Sequence, residues 1–197
     1  MPDPLNRYPH MVHEHYVARV RDVLARRRER LGALRSRADA EAYVRRTRLA
    51  ARRCFGPFPP RCPLDPVVTG RDDYPGYTLE KVLFQSRPGM LVPGLLYLPR
   101  RWRRPAPGVL GLCGHASEGK AAAPYQSFCQ GLALRGFVVF IIDPLAQGER
   151  VQHDVAGGEA PPDCCVAHNM AGNQMALCGD FLGTWRVHEA IRALDYL

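Results

Sequence analysis

Residues 108–150, GVLGLCGHASEGKAAAPYQSFCQGLALRGFVVFIIDPLAQGER, decide the fold. Val109–Cys113 is a short apolar run that reads as a strand. Phe137–Ile142 is almost wholly apolar, as expected of a strand buried on both faces. Between them, residues 121–135 read as a helix with Tyr125, Phe128, Leu132 and Leu134 inward, and Gly136 closes it. A strand, a helix and a strand at that spacing make a right-handed parallel unit and an α/β fold.

Two loops leave the carboxyl ends of these strands, where ligands approach open α/β sheets. The first is Gly114-His115-Ala116-Ser117-Glu118-Gly119-Lys120. Its glycine lets the backbone turn sharply and come close to a substrate. The second is Asp143-Pro144-Leu145-Ala146-Gln147-Gly148-Glu149-Arg150. There Asp143 is placed to cap the turn, Gly148 to relieve it, and Arg150 to pair with a carboxylate. A structural role is the simpler expectation for every residue of this second loop.

Upstream, Tyr77–Gln85 alternates with a period of two and predicts a strand. Arg87-Pro88-Gly89 is a turn, and Met90–Leu98 a second strand. Pro93-Gly94 interrupts that strand and predicts an edge or bulged position. Downstream, residues 151–182 show no clear period and read as an irregular insertion marked by Gly157-Gly158 and Pro161-Pro162. Trp185, Val187, Ile191, Leu194 and Leu197 then build a final helix over 183–197.

The N-terminal region differs in charge. Residues 1–53 hold 14 Arg against six acidic residues, so the net charge of +8 lies there; the remainder is balanced. Helical spacing predicts one helix over 13–34, with Tyr16, Val20, Val23, Leu24, Leu31 and Leu34 on one face. A second starts near Ser36, where Ser36-x-x-Asp39 is a capping box. Its expected buried stripe is Ala40, Tyr43, Val44, Thr47 and Ala51, and Gly56 ends it. Pro57, Pro59, Pro60, Pro63 and Pro66 then enforce an extended path. Three regions follow: a basic helical arm over 1–56, a Pro-rich linker over 57–76, and the α/β domain over 77–197. A basic arm is a candidate contact for nucleic acid or anionic lipid, but a solvated helix face is the simpler reading.

Composition excludes several classes. The 197 residues are 46% hydrophobic and 23% charged, as in ordinary globular proteins. No run approaches the roughly 18 apolar residues of a membrane span. Met1–Asn6 lacks the basic and apolar runs of a secretory leader, which predicts a cytoplasmic location. Seven cysteines at irregular spacing argue against a disulfide framework. His10, His13 and His15 fall on an exposed helical face, and Cys164-Cys165-x-x-His168 lacks the paired spacing of a zinc site, so no metal centre is expected. Gly111-x-Cys113-x-His115 mimics a nucleophile elbow with cysteine, but its last position needs a small residue.

Taken together, residues 108–150 resemble the strand–helix–strand segment that carries the oxyanion turn of α/β hydrolases, specifically bacterial acetyl xylan esterases and related dienelactone-hydrolase-like enzymes. Arg53–Pro59 with Pro63-Leu64, Ser86-Arg87-Pro88-Gly89, Leu96-Tyr97-Leu98-Pro99 and Gly179–Leu197 extend the resemblance to about residues 15–197. It implies an incomplete α/β-hydrolase fold, with its four strands ordered 1-2-4-3 between flanking helices and preceded by the helical arm. It implies a serine carboxylesterase acting on a small ester or acylated carbohydrate, with no metal or organic cofactor. By the resemblance Gly114 matches the glycine of the oxyanion turn, and His115 supplies a backbone N–H to the oxyanion hole. Cys113 stands where many relatives have His. None of the four serines lies in a Gly-x-Ser-x-Gly elbow. The nucleophile, acid and catalytic His are therefore expected after Leu197, and the chain alone is expected to be inactive. Neither nucleic acid nor membrane is an expected partner; self-association through the uncovered edge at Val109–Cys113 is. Two rivals remain: a non-catalytic binding module using the basic arm, and a cysteine-dependent hydrolase using Cys113.

Overall fold

The computed structural model describes residues 9–101, 105–152 and 163–197. The chain divides into two units, Met1–Arg52 and Arg53–Leu197. In the first, α1 covers Met11–Gly32, and α2 starts at Arg37 and runs to Phe55. The capping box forms: Ser36 N–H donates to Asp39 Oδ2 (3.0 Å) and Asp39 N–H to Ser36 Oγ (3.1 Å). The buried stripe expected of α2 does not, since neither helix buries any residue. Their apolar positions are diluted by arginine, and Tyr16, Val20 and Val44 remain exposed.

The second unit is built on a five-stranded sheet: β1 (Val67–Tyr74), β2 (Tyr77–Arg87), β3 (Met90–Pro99), β4 (Gly108–Leu112) and β5 (Val138–Ile142). Their order is β1-β2-β3-β5-β4. The four strands expected from sequence thus stand in the order 1-2-4-3. β4 and β5 are parallel, and the other pairs antiparallel. Alternation sorts the side chains into two cores. Tyr77, Leu79, Tyr97, Val139 and Ile141 pack on α3 (Ala123–Ala133) through Cys129 and Ala133. Val82, Phe84, Leu96, Phe140 and Ile142 pack on the opposite face against Ala193 and Tyr196 of α5 (Leu182–Tyr196). All five residues of β5 are buried, as expected of a strand covered on both sides.

Three expectations are corrected. Strand β1 lies inside the expected 57–76 linker. It is polar and mostly exposed, so it carries no apolar alternation. Its ladder to β2 holds it instead, closed by the Pro75-Gly76 turn and reinforced by Thr78 Oγ1 donating to Asp73 Oδ1 (2.6 Å) and by Lys81 pairing with Asp72 (2.9 Å). The proline stretch before it is no free tether either. Leu64 O accepts Gln85 N–H (2.9 Å), Cys62 O accepts from Arg192 (2.6 Å), and Leu64 packs on the α5-side core.

Strand β3 is interior, not an edge. Its pairing with β5 begins at Gly94, so Pro93 is asked for no amide there, while Pro93 O accepts Asp143 N–H (3.0 Å). A Cβ at Gly94 would stand 2.5 Å from the Phe140 ring. The glycine leaves room for that ring on the α5 side of the sheet, which explains both residues of the interruption.

Residues 163–177 of the expected irregular insertion are ordered. Asp163 accepts Cys165 N–H (2.7 Å) and caps α4 (Cys164–Leu177). Apolar residues are spread around this helix, and it buries only Cys164, Ala167 and His168. Gly157-Gly158 and Pro161-Pro162 lie outside the described residues.

Candidate functional site

The loops after β4 and β5 meet at the carboxyl end of the parallel pair and are tied to each other by named contacts. Asp143 is fully buried at their junction. Its carboxylate accepts Lys120 N–H (2.7 Å), Glu149 N–H (3.0 Å) and Lys120 Nζ (2.5 Å). Lys120 Nζ also pairs with Glu149. Gly119 and Gly148 flank that carboxylate at φ 56° each; a Cβ on either would meet an Asp143 oxygen at 2.2 or 2.3 Å. Asp143 therefore caps the turn, as expected, and ties in the other loop as well.

Arg150 meets its expected carboxylate in Glu189 of α5. It also donates to Asp143 O (3.2 Å). Gln147, fully buried, reaches back: its Nε2 donates to Gly114 O (2.8 Å) and Ala116 O (2.6 Å). Gly148 N–H donates to Ser117 O (2.9 Å). From the other side Tyr125 Oη accepts Gly114 N–H (2.7 Å). Between these holds, His115 N–H has no hydrogen-bond partner among the described residues.

The His115 ring is exposed and lies against His168 of α4, with centroids 5.2 Å apart. His168 Nε2 stands 2.7 Å from Leu145 O. A carbonyl only accepts, so Nε2 carries the proton. Nδ1 is then a buried lone pair without a partner among the described residues. Burial pushes the His168 pKa below the ordinary imidazole value, which keeps the ring neutral. A shallow depression of about 560 Å³ opens beside His115, floored by Ala116, Ala122 and Tyr125.

Cys113 is buried, with its Sγ 3.5 Å from Ile142 O. Burial first, then the Asp143 carboxylate, pushes its thiol up to about 11. That is the reverse of thiolate activation. Ser36, Ser117 and Ser127 are exposed, and none of their hydroxyls is hydrogen-bonded to a histidine among the described residues; Ser86 is fully buried. His10, His13 and His15 are exposed. Among the described residues, Asp163, Cys164 and Cys165 bring ligand-type atoms within 4.8 Å of one another, but the Asp163 carboxylate is engaged in capping α4.

Sequence reasoning passed over Tyr125, Gln147, Lys120, His168 and Glu189. Each finds its partner through the tertiary fold, 11 to 39 residues away, where no local pattern records it. A separate apolar groove of about 430 Å³ lies between β4 and α5, lined by Leu110, Leu112, Ile142, Val187, Ile191 and Leu194.

No family model and no curated protein matches the chain. Solved structures do. A Bacteroides fragilis protein described as an acetyl xylan esterase superposes with a TM-score of 0.56 at 19% identity, over 71% of this chain and 38% of its own. The methylesterase BT1017 superposes with a TM-score of 0.53 at 20% identity, over 77% of this chain and 29% of its own. The chain thus spans less than two fifths of either protein. With the sheet order and the helices on both faces, these neighbours show that the chain has part of the α/β-hydrolase fold.

Proposed function

We propose that the chain is part of a serine carboxylesterase acting on acylated carbohydrate, with His115 N–H as one donor of its oxyanion hole and Gly114 as the supporting turn. The observation that carries this reading is the open His115 amide at the carboxyl end of a parallel strand, in a turn held on Gly114 N–H by Tyr125 and on Gly114 O and Ala116 O by Gln147. The acyl class comes from the acetyl xylan esterase among its structural neighbours.

In such an enzyme a serine Oγ attacks the ester carbonyl while a histidine takes its proton. The carbonyl oxygen becomes an anion, and a prepositioned N–H stabilises it by about 2.7–4 kcal/mol. Collapse expels the sugar alcohol, reprotonated by the same histidine; water then releases the acid. Serine, acid and base are supplied by residues outside this chain, and the reaction calls for no metal or organic cofactor. The Cys113 alternative is disfavoured by the buried, protonated thiol. The basic-arm alternative would show as nucleic-acid binding with a steep salt dependence.

The test is the reading frame that contains the chain. We expect it to encode, beyond Leu197, a strand entering Gly-x-Ser-x-Gly. The full product should release acetate from acetylated xylo-oligosaccharides and lose that activity when the elbow serine becomes alanine. The 197-residue chain alone should not turn over aryl acetates. A frame without the elbow, or a full product without esterase activity, overturns the reading.

A further inference from the structure

We infer that Gln147 and Tyr125 are positioning residues that set the direction of the His115 N–H; the inference rests on the reading of that amide as an oxyanion donor. A peptide unit is planar and trans, so a carbonyl and the following N–H point opposite ways from one rigid plate. Gly114 O and His115 N–H share such a plate. Gln147 Nε2 holds the carbonyl at 2.8 Å from a fully buried position. The N–H at the other end of the plate therefore points away from Gln147. Tyr125 Oη holds the preceding plate through Gly114 N–H at 2.7 Å. Gly114 lies between the two plates, and glycine alone would let them swivel. The two side chains remove that freedom.

Gln147 is itself aimed with care. It is extended (φ −135°, ψ 154°) between Ala146 at φ 64° and Gly148 at φ 56°. A left-handed alanine is strained backbone of the kind that persists where a site needs it. The Gln147 amide has one workable orientation, because its nitrogen faces two carbonyls, Gly114 O and Ala116 O. Its Oε1 is left buried without a partner among the described residues. An apolar side chain of equal length would fill the space and spare the orphaned Oε1, but it would take the donor from Gly114 O, so the hold on that carbonyl is what the glutamine supplies.

The test uses the ¹⁵N-labelled full product of the reading frame and its Gln147→Met and Tyr125→Phe variants. Methionine keeps the length of glutamine and removes the donor; phenylalanine removes one hydroxyl. We expect the His115 N–H order parameter to fall from about 0.85 to below about 0.6 in Gln147→Met. Its residual dipolar coupling should change in both variants while those of the β5 amides hold. Unchanged His115 values in both variants overturn the inference. If the β5 amides show that Gln147→Met does not fold, Tyr125→Phe decides alone by the same criterion. In the full product, Gln147→Met should lower kcat by about 10- to 100-fold with KM within about twofold. If that product proves not to be an esterase, the function reading fails while the order parameter and coupling still decide the positioning.

Discussion

Arg150 grips Glu189 through two parallel N–H···O bonds, each 2.7 Å long, between side chains only 7% and 2% exposed. The pair joins the loop after β5 to α5. Removing one partner strands the other as a buried charge, so Glu189→Ala or Arg150→Ala should each destabilise the second unit by about 3–5 kcal/mol. The double change Arg150→Met/Glu189→Leu should cost far less than the sum of the singles. Urea unfolding of the three variants measures this; additive losses would mean that the contact is not what holds the loop.

Acid should weaken the fold through its buried histidines. Burial lowers the pKa of His168, held on Leu145 O, and of His188, held on Ser86 O at 3.1 Å. A group whose folded pKa lies below its unfolded value of 6.5 contributes nothing unfavourable above that pH. Below it the unfolded chain binds the proton more readily. Stability should therefore be flat above about pH 6.5 and fall as pH drops through 6.5 toward the folded values. Unfolding midpoints from pH 8 to 5 test this. The double variant His168→Gln/His188→Gln should flatten that part of the profile, and an unaltered slope would assign it to other groups.

The seven thiols should separate by reactivity. Burial pushes Cys113 up to about 11 and Cys129 up to about 12, while Cys54, Cys165 and Cys178 are exposed. Only the thiolate attacks an alkylating agent. At pH 8 iodoacetamide should label the exposed three first and leave Cys113 and Cys129 unmodified until the protein unfolds. Peptide mass spectrometry of a time course reads the order; early labelling of Cys113 would revive it as a nucleophile.

The uncovered edge of β4 should make the isolated chain associate. Among the described residues, the strand Gly108–Leu112 pairs only with β5; it carries no charge or proline, and borders the apolar groove against α5. Such an edge is a template for pairing with another chain. Leu112 and Leu194 are each 59% exposed, so a charge at either should leave the fold intact. Oligomers are expected for the chain by light scattering, and a shift toward monomer for Leu112→Lys. A monodisperse monomer before any substitution would show that the edge is closed in another way.

What the sequence disclosed and withheld follows from how each element is stabilised. The apolar run of β5, the alternation of β2 and the capping box at Ser36 leave local patterns, and all three form. Strand β1 left none, because its order comes from a backbone ladder and cross-strand charges. Helix α4 left no periodic pattern, because it buries few residues and its apolar positions are spread around it. At the candidate site both loops were legible from their glycines and their place after strands, and so was the need of Arg150 for a carboxylate. Which carboxylate, and the hold of Gln147 and Tyr125 on the turn, depended on neighbours that only the assembled sheet brings near.

The junction at Asp143 limits how this molecule can diverge. One carboxylate sets the length of two loops whose nearest residues, Gly119 and Gly148, have no room for a single added carbon. A residue inserted into either loop would pull a glycine off the carboxylate and take from Lys120 its buried partner. Drift in these loops should therefore be confined to their outward side chains at constant length, with the two glycines, the aspartate and the lysine changing together or not at all. In a saturation library selected for folded protein, positions 119, 120, 143 and 148 should stand out as four intolerant sites drawn from separate parts of the chain.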